Sequence, residues 1–151
     1  MAGDIDGRRS TSGVLAFLGA APITWQSLKQ KIVALSTCEA EYVAATTAAC
    51  QAVWLRRLLG ELTGEEAYPP ALMVDNQPAI ALAKNPVLHD RSKHIDIKFH
   101  FLWDCVDGGQ IVIEFVEIRR QLTDILTKSL GRLRFMELRK MIGMDEVKAS
   151  G

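Results

Sequence analysis

Three acidic residues lie far apart in this sequence, each in a short segment next to the end of a predicted element. Glu41 is in STCEAEY, Asp75 follows the apolar segment ALMV, and Asp124 is in QLTDILTK. Carboxylate oxygens are the ligands that Mg²⁺ prefers in proteins. Hydrolysis of a phosphodiester by two magnesium ions about 4 Å apart needs several such groups at one point. The three acids are therefore candidate metal ligands and candidate catalytic residues.

Each acid also has an ordinary structural explanation. Asp75 comes shortly before Pro78, and an Asp-Asn pair at that place can cap a helix that begins with proline. Glu41 and Asp124 lie near predicted helix starts, where the helix dipole favours negative charge. From the local sequence alone, both interpretations stay open for all three residues.

The first half of the chain predicts a hairpin followed by a long helix. Apolar runs at 13–19 and 22–27, joined by a glycine-containing turn, predict two antiparallel strands, and residues 31–35 predict a third. Ser36 with a glutamate three residues later forms a capping box, so we expect a helix from about residue 37 that ends at Gly64. Alanines at four-residue spacing on this helix predict close packing against a sheet or another helix.

The second half predicts two further strands and several helices. The run 71–74 predicts a buried central strand that ends at Asp75, and the β-branched run 111–116 predicts another. The predicted helices cover residues 78–84, the segment from the Ser92 cap to Gly108, a stretch beginning at Asp124, and a final amphipathic stretch over 133–142. Together these strands and helices predict an α/β fold class.

Length and composition predict one soluble domain. The chain has 151 residues, of which 48% are hydrophobic and 24% charged, enough for a single core and too few for two ordinary domains. We predict a domain over 1–143 and a polar tail over 144–151. The net charge is +0, so a nucleic-acid surface would have to be a local basic patch.

The cysteines and the hydrophobic runs predict the compartment. Cys38, Cys50 and Cys105 are odd in number and have no C-x-x-C spacing, as expected of buried thiols in a reducing environment. No apolar run approaches the roughly 18 residues of a membrane span. We therefore expect an intracellular protein, cytoplasmic or nuclear, with no membrane partner.

Six segments of this chain, in order, resemble the signature segments of one enzyme family. They are GDIDGRRSTSG (3–13), ITWQSLKQ (23–30), ALSTCEAEY (34–42), VDNQ (74–77), KHIDIKFHF (93–101) and DILTK (124–128). The chain is similar through them to the ribonuclease H domain at the end of the polyprotein of copia-type long-terminal-repeat retrotransposons. The resemblance covers residues 3 to about 143.

The resemblance implies a fold, an activity and a ligand set. The fold is ribonuclease H-like, a five-stranded mixed sheet flanked by helices. The activity is cleavage of the RNA strand of RNA–DNA hybrids during reverse transcription, with Mg²⁺, or Mn²⁺, held by an Asp-Glu-Asp-Asp set. By position, Glu41 corresponds to the glutamate of that set, Asp75 to its second aspartate and Asp124 to its last.

The first aspartate of the set has no counterpart. In the family it belongs to an opening strand just before the Ala-Gly-Asp segment, which here directly follows Met1. We therefore expect the first, central strand to be largely missing, which leaves one edge of the Val14 strand and one edge of the Leu72 strand without a partner. Candidate substitutes are the segment 1–9 folded differently, direct pairing of these two strands, a strand from a second copy, or a partner protein.

Basic residues near the predicted site are candidates for contact with a nucleic-acid backbone, although solvated surface charge is an equally ordinary role. The candidates are Arg8, Arg9, Lys29, Lys31, Arg91, Lys93, Arg119 and Arg120.

The sequence thus supports a ribonuclease H-like retroelement domain whose partner is an RNA–DNA hybrid and whose turnover is impaired by the absent ligand. The alternative is a domesticated, non-catalytic protein-interaction module that uses the open sheet for strand addition or dimerisation. A third hypothesis, a non-catalytic nucleic-acid binder, is disfavoured by the zero net charge.

Overall fold

Two separate two-stranded sheets pack against one long helix. This computed structural model describes residues 9–34, 36–75 and 93–147, apart from the side chains of residues 93–95 and 118. The described elements include both strands and helices, and a helix connects the two parallel strands, which agrees with the predicted α/β class.

The predicted hairpin is confirmed. Strand β1 (Thr11–Leu18) pairs antiparallel with β2 (Ala21–Lys29), and Gly19 takes the positive φ of 62° that their tight turn requires. The third strand predicted at 31–35 is wrong for its described residues, because Lys31–Ala34 form no strand. The pairing of β1 with β2 ends where the Gln30 N–H donates to the Ser10 carbonyl at 2.8 Å. The Gln30 side chain then donates to the Ala40 carbonyl at 2.9 Å, which directs the chain toward the helix.

Helix α1 (Thr37–Thr63) begins and ends at the predicted caps. The Ser36 hydroxyl accepts a hydrogen bond from the Glu39 N–H at 3.1 Å. Gly64, in the left-handed conformation at φ 72°, closes the C-terminus by donating its N–H to the Gly60 carbonyl.

The second sheet is a parallel pair joined through a helix. Strand β3 (Ala71–Val74) pairs with β4 (Val112–Phe115), and helix α2 (Lys93–Asp107) lies between them in sequence. The predictions of both strands and of this helix are confirmed, whereas the helix predicted over 78–84 and the Ser92 cap lie outside the described residues. The central, buried position predicted for β3 is not observed in the part of the chain that the structure describes, because β3 pairs there only with β4 and half of Met73 is exposed.

The core lies between α1, α2 and the second sheet. Its most buried members include Ala49 on α1, Leu102 on α2 and Ile111 before β4. The Tyr42 ring stacks on Phe99 with 5.0 Å between centroids, and the Tyr42 hydroxyl donates to the Phe99 carbonyl at 3.0 Å. These contacts hold α2 on α1.

The sheets differ from the single mixed sheet expected of the resembled fold. Among the described strands the order is β2–β1 in one sheet and β3–β4 in the other. No described strand lies between β1 and β3, so nothing in the described chain joins the two pairs into one sheet.

The C-terminal part contributes two helices. A 3₁₀ turn (Ile118–Arg120) precedes helix α3 (Asp124–Thr127), which is followed by α4 (Arg132–Ile142). The Ser27 hydroxyl donates to the Leu126 carbonyl at 2.6 Å and so ties α3 to the first hairpin. Within the described ranges, none of the helices has the length and apolar character needed to cross a membrane.

The cysteine prediction holds only in part. Cys105 is buried and Cys38 half-buried, but Cys50 is exposed. Cys50 follows the fully buried Ala49 by one residue, which turns its position about 100° around the helix and toward solvent.

We expect Gly13→Ala to destabilise the protein by about 1–3 kcal/mol, because an added methyl has no room between β1 and α3. A Cβ at Gly13 would lie 2.7 Å from Thr127 Cγ2 and 3.2 Å from the Thr123 carbonyl oxygen. Urea unfolding measures the loss.

The double variant Gly13→Ala with Thr127→Ser removes the nearest obstructing atom and should recover part of that stability. Gly131→Ala is the matched control, since a Cβ there meets nothing within 4 Å. Equal losses in Gly13→Ala and Gly131→Ala would contradict the close packing of β1 on α3.

Candidate functional site

Glu41, Asp75 and Asp124 all line one groove. The groove has a volume of about 1160 Å³ and lies between β1 and β3, with the alanine-rich face of α1 as its floor. We call it the central groove. The three acids predicted from the sequence are therefore neighbours in the structure, although their metal-binding and catalytic roles stay predictions.

Each acid is positioned by a different element. The Ser36 cap fixes the start of α1 and thereby the position of Glu41 one turn further on. Asp75 directly follows the last residue of β3. Asp124 opens α3, which the hydrogen bond from Ser27 and the close approach of Gly13 hold against the first hairpin.

The Glu41 carboxyl is strongly perturbed. Burial raises its pKa, and the neighbouring Asp75 carboxylate and a hydrogen bond to it raise the pKa further, whereas Lys128 opposes the shift. The resulting pKa of Glu41 is about 7, against an ordinary value of 4.5. Near neutral pH, Glu41 is thus protonated in about half of the molecules.

Lys128 is a site residue for which the sequence analysis gave no role. Its Nζ lies 3.2 Å from Asp124 Oδ1, and the Asp124 side chain is only 11% exposed. The Asp-Lys spacing of four residues within DILTK is the sequence signal for this pair, because residues i and i+4 of a helix are neighbours.

Gln30 is a second residue that the sequence analysis missed. It is 5% exposed and lines the central groove. Its Nε2 donates to the Ser12 hydroxyl and to the Ala40 carbonyl, both at 2.9 Å. Its Oε1 is buried and has no hydrogen-bond partner among the described residues. No local pattern marks Gln30, since its burial depends on the packing of the hairpin against α1.

The three carboxyl groups have the right donor chemistry for a hard cation but are not arranged as ligands of one ion. Among the residues that the structure describes, no group of three or more His, Cys, Asp or Glu side chains is placed to hold a metal. Lys128 neutralises Asp124, and Asp75 is the largest acidic influence on the pKa of Glu41. A divalent cation would relieve the carboxylate repulsion that, after burial, raises the pKa of Glu41. The donor chemistry therefore suits such an ion, and the side chains, including Lys128, would have to rearrange to coordinate it.

Several predicted nucleic-acid-binding residues lie near this end of the groove. Arg9, Lys29 and Lys31 are exposed at the open end of the first hairpin, next to Gln30. Arg119 and Arg120 are exposed in the 3₁₀ turn, and Arg120 lines the groove. Arg8, Arg91 and the side chain of Lys93 lie outside the described residues. Contact of these residues with nucleic acid stays a prediction.

Comparison with known proteins gives relatives over nearly the whole chain. It is 41% identical over 144 residues to the retrovirus-related Pol polyprotein from transposon TNT 1-94 of Nicotiana tabacum, which covers 95% of this chain and 11% of that protein. It is 40% identical over 149 residues to those from transposons RE2 and RE1 of Arabidopsis thaliana, covering 99% of this chain and 10% of each relative.

Two further comparisons found nothing: no family model matches the chain, and no solved structure is significantly similar to it. The chain spans about a tenth of the length of the curated relatives it matches. The homologues of this chain are therefore retrovirus-related Pol polyproteins of transposons, and the chain corresponds to one region of them.

Proposed function

We propose that this chain is a ribonuclease H-like domain of a retroelement Pol region, whose site cleaves the RNA strand of RNA–DNA hybrids with Mg²⁺, or with Mn²⁺ in its place. The observation that carries the proposal is the meeting of Glu41, Asp75 and Asp124 at one end of the central groove. These three acids lie in the segments by which the sequence resembles that enzyme family.

The proposed roles follow from the resemblance to the enzyme family and are supported by the shared groove of the three acids. Asp75 and Glu41 hold one cation, and Asp124 contributes to a second. Bound magnesium would stabilise the charge that develops on the attacking and leaving oxygens of the phosphodiester. Lys128 neutralises Asp124 while no cation is bound and must release it when one binds.

We propose that turnover by this chain is slow, because the carboxylates of its described residues alone form an incomplete set. The described residues supply three carboxylates to the groove, whereas the resembled family uses four. In this proposal, exposed cations such as Arg120 and Lys29 contact the hybrid backbone, and their contribution to binding falls as the salt concentration rises.

We expect a low rate of Mg²⁺-dependent cleavage of a labelled RNA–DNA hybrid, and we expect Asp75→Asn to lower it at least about tenfold. That loss corresponds to about 1.4 kcal/mol or more of transition-state stabilisation. The same variant should weaken the broadening that Mn²⁺ causes in the amide NMR signals around Glu41 and Asp124. Cleavage and broadening are measured in parallel, so cation binding can be detected even where cleavage is very slow.

Asp107→Asn provides the control, because Asp107 is an exposed aspartate at the end of α2. It should leave both cleavage and broadening unchanged. Equal cleavage by the wild-type chain and Asp75→Asn, or Mn²⁺ broadening centred elsewhere, would refute the proposed site. Rapid cleavage by the wild-type chain that Asp75→Asn abolishes would support the proposed site and refute the proposed slow turnover.

A second candidate function is binding of a protein partner through the open sheet edges. The observation that favours it is the separation of the described strands into two pairs, with the central groove between them. Exposed strand edges are templates for the addition of another strand.

A further inference from the structure

We propose that Lys128 exchanges partners when a divalent cation binds, so that its ammonium group leaves Asp124 and contacts a phosphate of the polynucleotide in the central groove. This inference rests on the proposed function and adds to it the residue that couples cation binding to hybrid binding. The evidence is the contact of Lys128 with Asp124, the difference in exposure between the two side chains, and the other cations of the groove.

The ammonium group of Lys128 lies among the acids of the site. Its Nζ is 3.2 Å from Asp124 Oδ1, and both residues line the central groove. Lys128 is also close enough to Glu41 to oppose the rise in the pKa of that carboxyl. Because like charges repel, a divalent cation at Asp124 would displace the ammonium group from that carboxylate.

The exposures of the two side chains indicate which of them moves. The Asp124 side chain is 11% exposed, whereas that of Lys128 is 59% exposed. Helix α3, which Asp124 opens, is held by contacts that do not involve the ammonium group, namely the hydrogen bond from Ser27 and the close packing of Gly13. An exposed ion pair contributes little to stability. Release of Lys128 should therefore leave α3 and Asp124 in position.

A phosphate is the partner that best suits the released ammonium group. A lysine carries a compact charge on a flexible stem of four carbons, and it binds phosphate oxygens as a point charge. The carboxylates of the groove repel a polynucleotide, whereas bound cations reverse the local charge. Lys128 is therefore released under the same condition that allows a phosphate to approach.

The other described cations of the groove lining are less suited to this role. They are Arg56 and Arg120. The Arg56 guanidinium donates to two backbone carbonyls and to Glu66, and Arg56 lies roughly 22 Å along α1 from Glu41. Of the three described cations in the lining, Lys128 is the one whose ion pair is with an acid of the site.

A purely structural role for the Lys128–Asp124 pair predicts a different behaviour. A neutral residue at position 128 would then lower the stability of the protein slightly, and its effect on hybrid binding would be the same with and without a cation. Exchange of partners instead predicts two changes of opposite sign. The neutral variant should bind the cation more tightly and should lose affinity for the hybrid only when the cation is bound.

The first measurement is the affinity of the full chain for Mn²⁺, followed by the EPR signal of the free ion. We expect Lys128→Met to bind Mn²⁺ at least about threefold more tightly than the wild-type chain, because no ammonium group competes for Asp124. Lys128→Gln supplies a second neutral side chain, should show the same gain, and replaces Lys128→Met if that variant does not fold. Lys128→Arg keeps the charge and should stay within about twofold of the wild-type affinity.

The second measurement is the affinity for a fluorescein-labelled RNA–DNA hybrid, followed by anisotropy in EDTA and in saturating Ca²⁺, which also binds oxygen ligands. A gel checks that the RNA strand stays intact. In Ca²⁺ we expect Lys128→Met to bind the hybrid at least about fivefold more weakly than the wild-type chain. In EDTA the difference should be less than about twofold, because the ammonium group is then paired with Asp124. Lys128→Arg should retain most of the Ca²⁺-dependent affinity.

Lys140→Met is the matched control. Lys140 is an exposed lysine on α4 and does not line the central groove. Its replacement removes the same charge from the chain, so it corrects for the general loss of attraction to a polyanion. We expect its Mn²⁺ affinity and its hybrid affinity to stay within about twofold of the wild-type values in both buffers.

The outcomes separate this inference from the function on which it rests. If Mn²⁺ does not broaden the amide signals around Glu41 and Asp124 of the wild-type chain, or if that chain does not bind the hybrid, both are wrong. If the cation and the hybrid bind but Lys128→Met changes neither affinity, the proposed function stands and the inference is wrong. A loss of hybrid affinity that is equal in EDTA and Ca²⁺ also overturns the inference. Tighter Mn²⁺ binding together with a Ca²⁺-dependent loss of hybrid affinity supports it, whatever the rate of cleavage.

Discussion

Replacing Glu41 with glutamine should stabilise this protein by about 1–2 kcal/mol at pH 8 in metal-free buffer and leave its stability unchanged near pH 4. The reason is that the folded state holds the Glu41 proton up to a pKa of about 7, whereas the unfolded chain releases it near 4.5. The difference corresponds at most to about 3 kcal/mol, and solvent screening of a partly exposed group lowers that figure.

The direction of this pH-dependent change in stability follows from proton binding. Below pH 4.5 the carboxyl is protonated in both states and contributes no difference. As the pH rises from 4.5 to 7, the unfolded chain loses the proton first, so unfolding becomes easier. Above pH 7 the penalty is constant, and glutamine, which does not ionise, avoids it.

Urea unfolding of both proteins between pH 4 and pH 8, with EDTA present, measures this effect. Glu61→Gln is the matched control, because Glu61 lies on the same helix but is exposed. Its unfolding free energy should follow that of the wild-type chain at every pH. If Glu41→Gln also follows the wild-type curve, Glu41 is not held in the acidic cluster that the structure shows.

The largest expected loss of stability is in Leu102→Ala, at about 2–5 kcal/mol. Leu102 is 1% exposed and lies in the core cluster where α2 packs on α1. Truncation removes its buried methyl groups and leaves a cavity that the surrounding helices fill only in part. Since small domains are stable by only about 5–15 kcal/mol, this loss is a large part of the total.

The midpoint and slope of urea unfolding measure the loss, and Ile97→Ala is its control. Ile97 is on the same helix and is 59% exposed, so its truncation should cost less than about 1 kcal/mol. Comparable losses in the two variants would show that α2 presents a different face to α1.

Local signals predicted the elements best. The Ser36 cap, the Gly64 stop and the hairpin glycines act within a few residues, so α1 and the β1–β2 pair could be placed from the sequence. The strand predicted at 31–35 was wrong for residues 31–34, which form no strand once the Gln30 side chain bonds to the Ala40 carbonyl. That hydrogen bond is a tertiary contact and has no local signature.

The acids of the site could be predicted, but their interactions could not. Glu41, Asp75 and Asp124 stood out because of their segments, whereas the pKa of Glu41 and the contact of Lys128 with Asp124 depend on how α1, β3 and α3 pack. Side-chain type and spacing give the composition of a site, and the packing of distant elements gives its charge state.

The dependence of both sheets on α1 has a consequence for the order of folding. Two-stranded ribbons are marginally stable in water, so neither the β1–β2 hairpin nor the β3–β4 pair should persist before the helix offers its surface. The hairpin closes over a short stretch of chain, whereas β3 and β4 are separated by 37 residues from Val74 to Val112, and closing such a long loop is slower. Assembly should therefore begin with the hairpin docking on α1, and the parallel pair should form last.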